Sequence, residues 1–219
     1  ASQDTRDWWG RLAAVGDRAL RLTGVQYILA PYGDPRFLDP ERFTPLWESA
    51  PVGIRVVNVP EPTPTARVLY GLRPAAGPEA ALDILTDPGF DPAREVVLES
   101  SDQRIVAQRP ATAAHRVRND PTHVTIYTRT ERPGILVLAD AYAEGWTARV
   151  NGEPTEILRA NRLHRAVHLG RGDNLVEFVY RPGRTIAALY ITAAGWAGLV
   201  PLLLWSAWRR RRNTGGEPE

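Results

Sequence analysis

The chain of 219 residues contains no cysteine and no methionine, and none of its 27 basic residues is lysine. Without cysteine there is no disulfide framework, no thiolate metal site and no thiol nucleophile, and the redox compartment cannot be read from thiol usage. A start at Ala1-Ser2-Gln3, with neither initiator nor a basic and then apolar leader, reads as the tail of something longer. Charge imbalance is also scarce: the formal net charge is +2. Residues 1–208 carry 23 arginines and 23 acidic residues, so the excess positive charge lies in the last eleven positions. A nucleic-acid surface spreads basic residues over a folded face, and a terminal cluster does not, so nucleic acid is excluded as a partner. No GxGxxG, GxxxxGK[ST] or GxSxG pattern occurs, which removes the common phosphate cradles and the nucleophile elbow.

What is present is one long apolar run. From Thr185 to Trp208 no charged residue occurs; Arg184 precedes the run and Arg209, Arg210, Arg211 and Arg212 follow it. Two dozen helical residues span about 36 Å against a hydrocarbon core of about 30 Å. A soluble helix seldom stays apolar on every face for six turns, so a transmembrane helix is expected over 185–208. Tyr190, Trp205 and Trp208 lie near its ends, where amphipathic rings favour the headgroup region. The four arginines mark the cytoplasmic side and leave residues 1–184 outside the cytoplasm. Ala194 and Gly198 form a small-xxx-small pair that would let a second membrane helix approach closely.

The rest of the chain is mainly strand-like. Trp8, Leu12, Val15, Ala19 and Leu22 fall at helical spacing, so a helix is expected from Asp4 to Leu22, ended by Gly24. Strands follow at VQYILAP, IRVVNV and ARVLYGL, with an irregular proline- and aspartate-rich segment over 31–53 and a short helix around Pro78 to Leu85. From Glu95 the runs EVVLE, RIVAQR, AHRVRN, HVTIYTRT, GILVLAD, WTARV, TEILRA, RAVHL and NLVEFVY recur at about ten-residue spacing, the pattern of an antiparallel β-sandwich. Asn151-Gly152 is a strong hairpin signal, because both central residues of a type I′ turn need positive φ. The expected organisation is a mixed α+β cap over 1–94, an extracytoplasmic β-sandwich over 95–184, a transmembrane helix over 185–208 and an arginine-rich tail over 209–219. Only a few residues part the last strand from the apolar run, which would stand the sandwich at the membrane surface.

Three constellations invite chemistry and fall short of it. Asp140 and Glu144 could be imagined as a glycosidase pair, but a polar loop explains them as well. His164 and His168 have metal-ligand spacing on a helix, whereas on a strand they stand about 13 Å apart. Arg171-Gly172-Asp173 spells an adhesion tripeptide, yet glycine and aspartate are what a tight hairpin needs. No catalytic residue, metal ligand or cofactor is assigned.

The run from Gly134 to Thr192 resembles the C-terminal signature of the YfhO-like bacterial membrane proteins. The resemblance is carried by Asp140-Ala141-Tyr142, Gly145-Trp146, Asn151-Gly152, Ala160-Asn161, Arg165-Ala166-Val167, the turn Gly170 to Gly172 and Val176 to Pro182. Upstream, LRLTGVQYILAP at Leu20 and GFDPAREVVLE at Gly89 are similar to two further family elements, whereas Gly170-Arg171-Gly172-Asp173-Asn174 departs from the family's histidine-containing turn. The resemblance implies a polytopic parent similar to GT-C glycosyltransferases, which transfer sugar from a polyprenyl-phosphate carrier outside the cytoplasm. Such enzymes keep their catalytic acid between N-terminal membrane helices, so this chain alone would not be catalytic. Its implied place is the bacterial plasma membrane. Its partners would be the lipid bilayer, the other helices of the parent and a polyprenyl-phosphate sugar or envelope glycan. Tyr142, Trp146 and Asn161 are the candidate sugar contacts, through a flat stacking ring or an amide. Each also has a structural reading: Trp146 as sandwich core, with Ala148 and Val150 on its face, and Asn161 as a backbone partner at a strand end. Trp146 is expected in the core. A single-helix membrane-anchored carbohydrate-binding module is the alternative, and a free-standing hydrolase fits least.

Overall fold

The computed structural model describes residues 17–59, 62–99, 109–183, 192 and 195–205. It divides into two units, residues 1–180 and 181–219. The first is mainly β, with antiparallel sheets and few helices. In chain order its elements are α1 (Asp17–Thr23), β1 (Tyr27–Pro31), β2 (Thr44–Ser49), β3 (Ile54–Asn58), β4 (Ala66–Leu69), β5 (Gly71–Pro74), α2 (Pro78–Thr86) and β6 (Glu95–Leu98). There follow β7 (Thr112–Ala113), β8 (His115–Asp120), β9 (His123–Thr130), β10 (Gly134–Ala141), β11 (Trp146–Val150), β12 (Glu153–Thr155), β13 (Leu158–Ala160), β14 (His164–Leu169) and β15 (Gly172–Tyr180).

The largest sheet runs β5-β6-β13-β14-β10-β4-β7. Only Tyr70 separates β4 from β5 along the chain, yet β4 pairs with β10 and β5 pairs in parallel with β6. These two strands are therefore halves of one bent ribbon that joins β5, at one end of the sheet, to β4, next to the other end, so the sheet is rolled. The rolled interior holds Leu69, Leu72, Val96, Leu98, Ile135, Val137, Ala160 and Ala166, each at most 6% exposed. This is why GILVLAD reads as a continuous apolar run: Ile135 and Val137 fill the roll, while Leu136 and Leu138 point the other way. That other face packs against a second sheet, β12-β11-β15-β9-β8, through Val68, Leu136, Leu138 and Val167 on one side and Val124, Ile126, Ala148, Val176 and Phe178 on the other. Two sheets sharing one core in this way make a sandwich-like body. The hairpin between β11 and β12 turns at Asn151 and Gly152 with φ of 53° and 85°, the positive values its sequence requires.

The helices cover the β5–β6 margin. Ala81, Leu82 and Leu85 of α2 lie on one stripe and pack with Leu22 of α1, Phe90 and Val97. Pro78 opens α2, where its missing N–H costs nothing, and the chain leaves the helix at Asp87, before Pro88.

Several expectations need correcting. The break expected at residue 94 falls inside the large sheet, because β4 and β5 pair with strands from beyond it. ARVLYGL is two strands bent at Tyr70, TEILRA divides into β12 and β13, and the segment expected to be irregular over 31–53 contains β2, paired with β3. Of the opening helix only α1 is described; most of it, and residues 104–108 of RIVAQR, lie outside the described residues.

In the second unit residues 195–205 are helical. Trp196, Leu199, Val200, Leu202, Leu203, Leu204 and Trp205 are 44% to 66% exposed and, at about 100° per residue, point in every direction around the axis. Among the described residues no helix is long and apolar enough to cross a membrane. Gly198 and Trp205 belong to this helix, and a Cβ placed on Gly198 would meet nothing within 4 Å. Tyr190, Ala194, Trp208 and Arg209 to Arg212 lie outside the described residues.

Candidate functional site

The apolar layer between the two sheets ends in a polar rung, and a cleft of about 560 Å³ opens there. Its side chains occupy inward positions of their strands. Arg165 on β14 pairs with Leu138, Arg116 on β8 pairs with Ile126, and Asp140 continues the inward alternation of Leu136 and Leu138. The β10–β14 register shifts between Leu138 and Ala141, which places Asp140 at an irregularity of the sheet. Trp146 and Tyr180, paired across β11 and β15, complete the wall.

Asp140 is held by two guanidinium groups. Arg116 Nη2 donates to Oδ1 at 3.0 Å and Arg165 Nη2 to Oδ2 at 3.1 Å. Arg116 Nη1 also donates to Asn119 Oδ1 at 2.8 Å. Arg165 is 2% exposed, with its guanidinium carbon 3.7 Å from the Trp146 ring centre and 5.3 Å from that of Phe178. Burial, opposed by the Asp140 charge, lowers its pKa from the ordinary arginine value. The aromatic faces and the carboxylate together supply the cation with what water no longer does.

Trp146 stands where alternation predicts it, on the face of Ala148 and Val150. It is half-buried: it packs on the core, leans on Tyr180 at 5.2 Å between ring centres, and lines the cleft. Tyr142 and Asn161 do not line it. Tyr142 carries the Arg159 guanidinium 4.7 Å from its ring centre. Asn161 is fully buried with φ of 47°; its N–H donates to Val97 O at 2.8 Å and its Oδ1 accepts from Val97 N–H at 2.9 Å. The amide thus continues the pairing to β6 past the end of β13, which is the structural role. Arg116, Arg165, Asn119 and Tyr180 were not singled out from sequence; the one available signal was arginine at an inward place in an alternating strand.

The remaining expected features are placed elsewhere. Glu144 is exposed and does not line the cleft. His164 is buried and His168 exposed on the same strand, and among the described residues no group of three or more histidine and acidic side chains could hold a metal. Arg171 to Asp173 form the turn into β15, where Asp173 Oδ1 accepts from the Tyr127 hydroxyl at 2.7 Å.

His164 adds a pH dependence. Burial, reinforced by the nearby Arg67 charge and opposed by Asp140, pushes its pKa down to about 4 from 6.5. Below pH 6.5 the unfolded chain takes up a proton that the folded chain refuses, so stability is full above that pH and falls as pH drops toward 4. The loss expected by pH 5 is about 2 kcal/mol. Thermal unfolding of the full chain in detergent at pH 7.5 and pH 5 should show this decline, and a His164→Leu variant should show much less of it.

In comparisons with known proteins, no family model, no curated protein and no solved structure matches the chain.

Proposed function

We propose that the chain is the C-terminal, extracytoplasmic region and last membrane helix of a polytopic bacterial membrane protein, similar to polyprenyl-phosphate-sugar-dependent glycosyltransferases, and that it binds without catalysing. The observation that carries the membrane reading is the helix at 195–205, whose large apolar side chains are exposed on every side. Such a helix is unfavourable in water and ordinary in lipid, where its backbone bonds are satisfied internally. It sits within the uncharged run closed by Arg209 to Arg212, which favours a cytoplasmic end.

Binding rather than chemistry is favoured by the cleft. Its one central carboxylate, Asp140, is clamped on both oxygens by guanidinium groups. The other acid of the lining, Asp120, is engaged by Arg118, so among the described residues the cleft presents no second carboxylate free to share acid and base roles with Asp140. The cleft equally suits a carbohydrate-binding module held by a single helix, and the upstream reading frame separates the two: continuation into many apolar segments supports the polytopic parent. Purified chain in detergent, supplied with a polyprenyl-phosphate sugar and an acceptor, should give no transfer above background. Turnover by this chain alone would refute the assignment of catalysis to other parts of the parent.

A further inference from the structure

The cleft offers more hydrogen-bond donors than its own residues use. Arg116 has five N–H groups; one on Nη1 goes to Asn119, one on Nη2 to Asp140 and the Nε–H is buried, which leaves one on each terminal nitrogen. Asn119 Oδ1, accepting from Nη1, fixes how the Arg116 guanidinium is presented. The other acid in the lining, Asp120, is engaged by Arg118. Arg116 and Arg165 together outweigh Asp140 by one positive charge, and the side chain of Arg116 keeps 21% of its surface open. A planar guanidinium suits an oxyanion, whose oxygens can accept two parallel bonds. Beside these donors stand Trp146 and Tyr180, apolar surfaces suited to the C–H groups of a ring.

We propose that this cleft binds a saccharide carrying one oxyanion, a carboxylate or a phosphate, with the oxyanion on Arg116, whose guanidinium Asn119 orients, and the sugar ring beside Tyr180 and Trp146. Hydroxyl groups of the ring donate to the unused lone pairs of Asp140, which each carboxylate oxygen retains after accepting one arginine bond. A volume of about 560 Å³ lies in the usual range of about 300 to 1,000 Å³ for small-ligand sites. The inference rests on reading this unit as a binding region and not on the membrane orientation.

The test uses full-length, ¹⁵N-labelled chain in lipid nanodiscs, titrated at fixed ionic strength with glucuronate, glucose 6-phosphate, glucose and sodium phosphate. The Trp146 indole N–H resonance is identified by its loss in Trp146→Phe. At least one of the two anionic sugars is expected to shift it and to bind ten times or more as tightly as glucose, and which of them does so identifies the oxyanion. Arg116→Gln should abolish that preference. Should this variant not fold, Asn119→Ala, at an exposed position, should reduce it. Glucose binding as tightly as both anionic sugars would overturn the proposal and leave a neutral-sugar cleft, so the binding reading would survive. Sodium phosphate shifting the resonance as strongly as the sugars would also overturn it, leaving a bare anion site. No response to any of the four would remove the proposal and the binding reading together, while the membrane orientation would stand on its own test.

Discussion

Asp140→Ala is expected to lower the stability of the full chain by about 3 to 4 kcal/mol, the largest loss of any substitution in the cleft. The reason lies in the residue that remains. Arg165 is 2% exposed and, among the described residues, its ion-pair partner is this carboxylate, so truncation leaves a desolvated cation against the Trp146 and Phe178 rings. Breaking a buried pair by removing one member costs about 3 to 5 kcal/mol, and the 30% exposure of the Asp140 side chain moves the figure toward the lower end. Arg116, nearer solvent, can rehydrate and adds little. Adding Arg165→Leu to the alanine variant should recover much of the loss, because an apolar side chain among Trp146 and Phe178 needs no counter-charge. Denaturant unfolding of the two single variants and the double variant measures the coupling. A loss below 1 kcal/mol for Asp140→Ala would mean that the carboxylate does not support Arg165.

Trp146→Ala should cost about 3 kcal/mol. A fully buried large aromatic loses about 3 to 5 kcal/mol on truncation, and Trp146 is half-buried, which lowers the expectation. Its loss also strips the Arg165 guanidinium of a ring 3.7 Å away, and a desolvated cation–π contact contributes about 2 kcal/mol. The conservative Trp146→Phe keeps a ring under the cation and should lose less than half as much. Equal losses for alanine and phenylalanine in thermal unfolding would show that ring size, and not stacking on Arg165, determines the cost. A wild-type melting temperature for Trp146→Ala would show that Trp146 carries no core packing.

The local features were legible because their causes are local. Asn151-Gly152 requires positive φ wherever it occurs, and the alternation of Trp146, Ala148 and Val150 sets one face toward the core without reference to the rest of the chain. The seven-stranded sheet was not legible, since β4 and β5 look like one strand until two distant partners, β10 and β6, bend them apart at Tyr70. The expected domain break at residue 94 failed for the same reason: the pairing that decides it joins residues far apart in sequence. The cleft gathers Arg116, Asp140, Trp146, Arg165 and Tyr180 from five strands, and no spacing rule links them. An inward-facing arginine in RAVHL was the available clue, easily lost among 27 arginines. Asn161 reads from sequence as either a sugar contact or a backbone partner, and its full burial against Val97 decides for the latter.

The most direct test of the central claim is a paired reporter fusion at Glu219, one reporter active only in the cytoplasm and one active only outside it. Arg209 to Arg212 hold the C-terminus on the cytoplasmic side if the preceding apolar run spans the membrane. The account predicts that only the cytoplasmic reporter works at Glu219 and that fractionation leaves the fusion in the membrane. Activity of the external reporter alone, or recovery of the fusion in the soluble fraction, would contradict it.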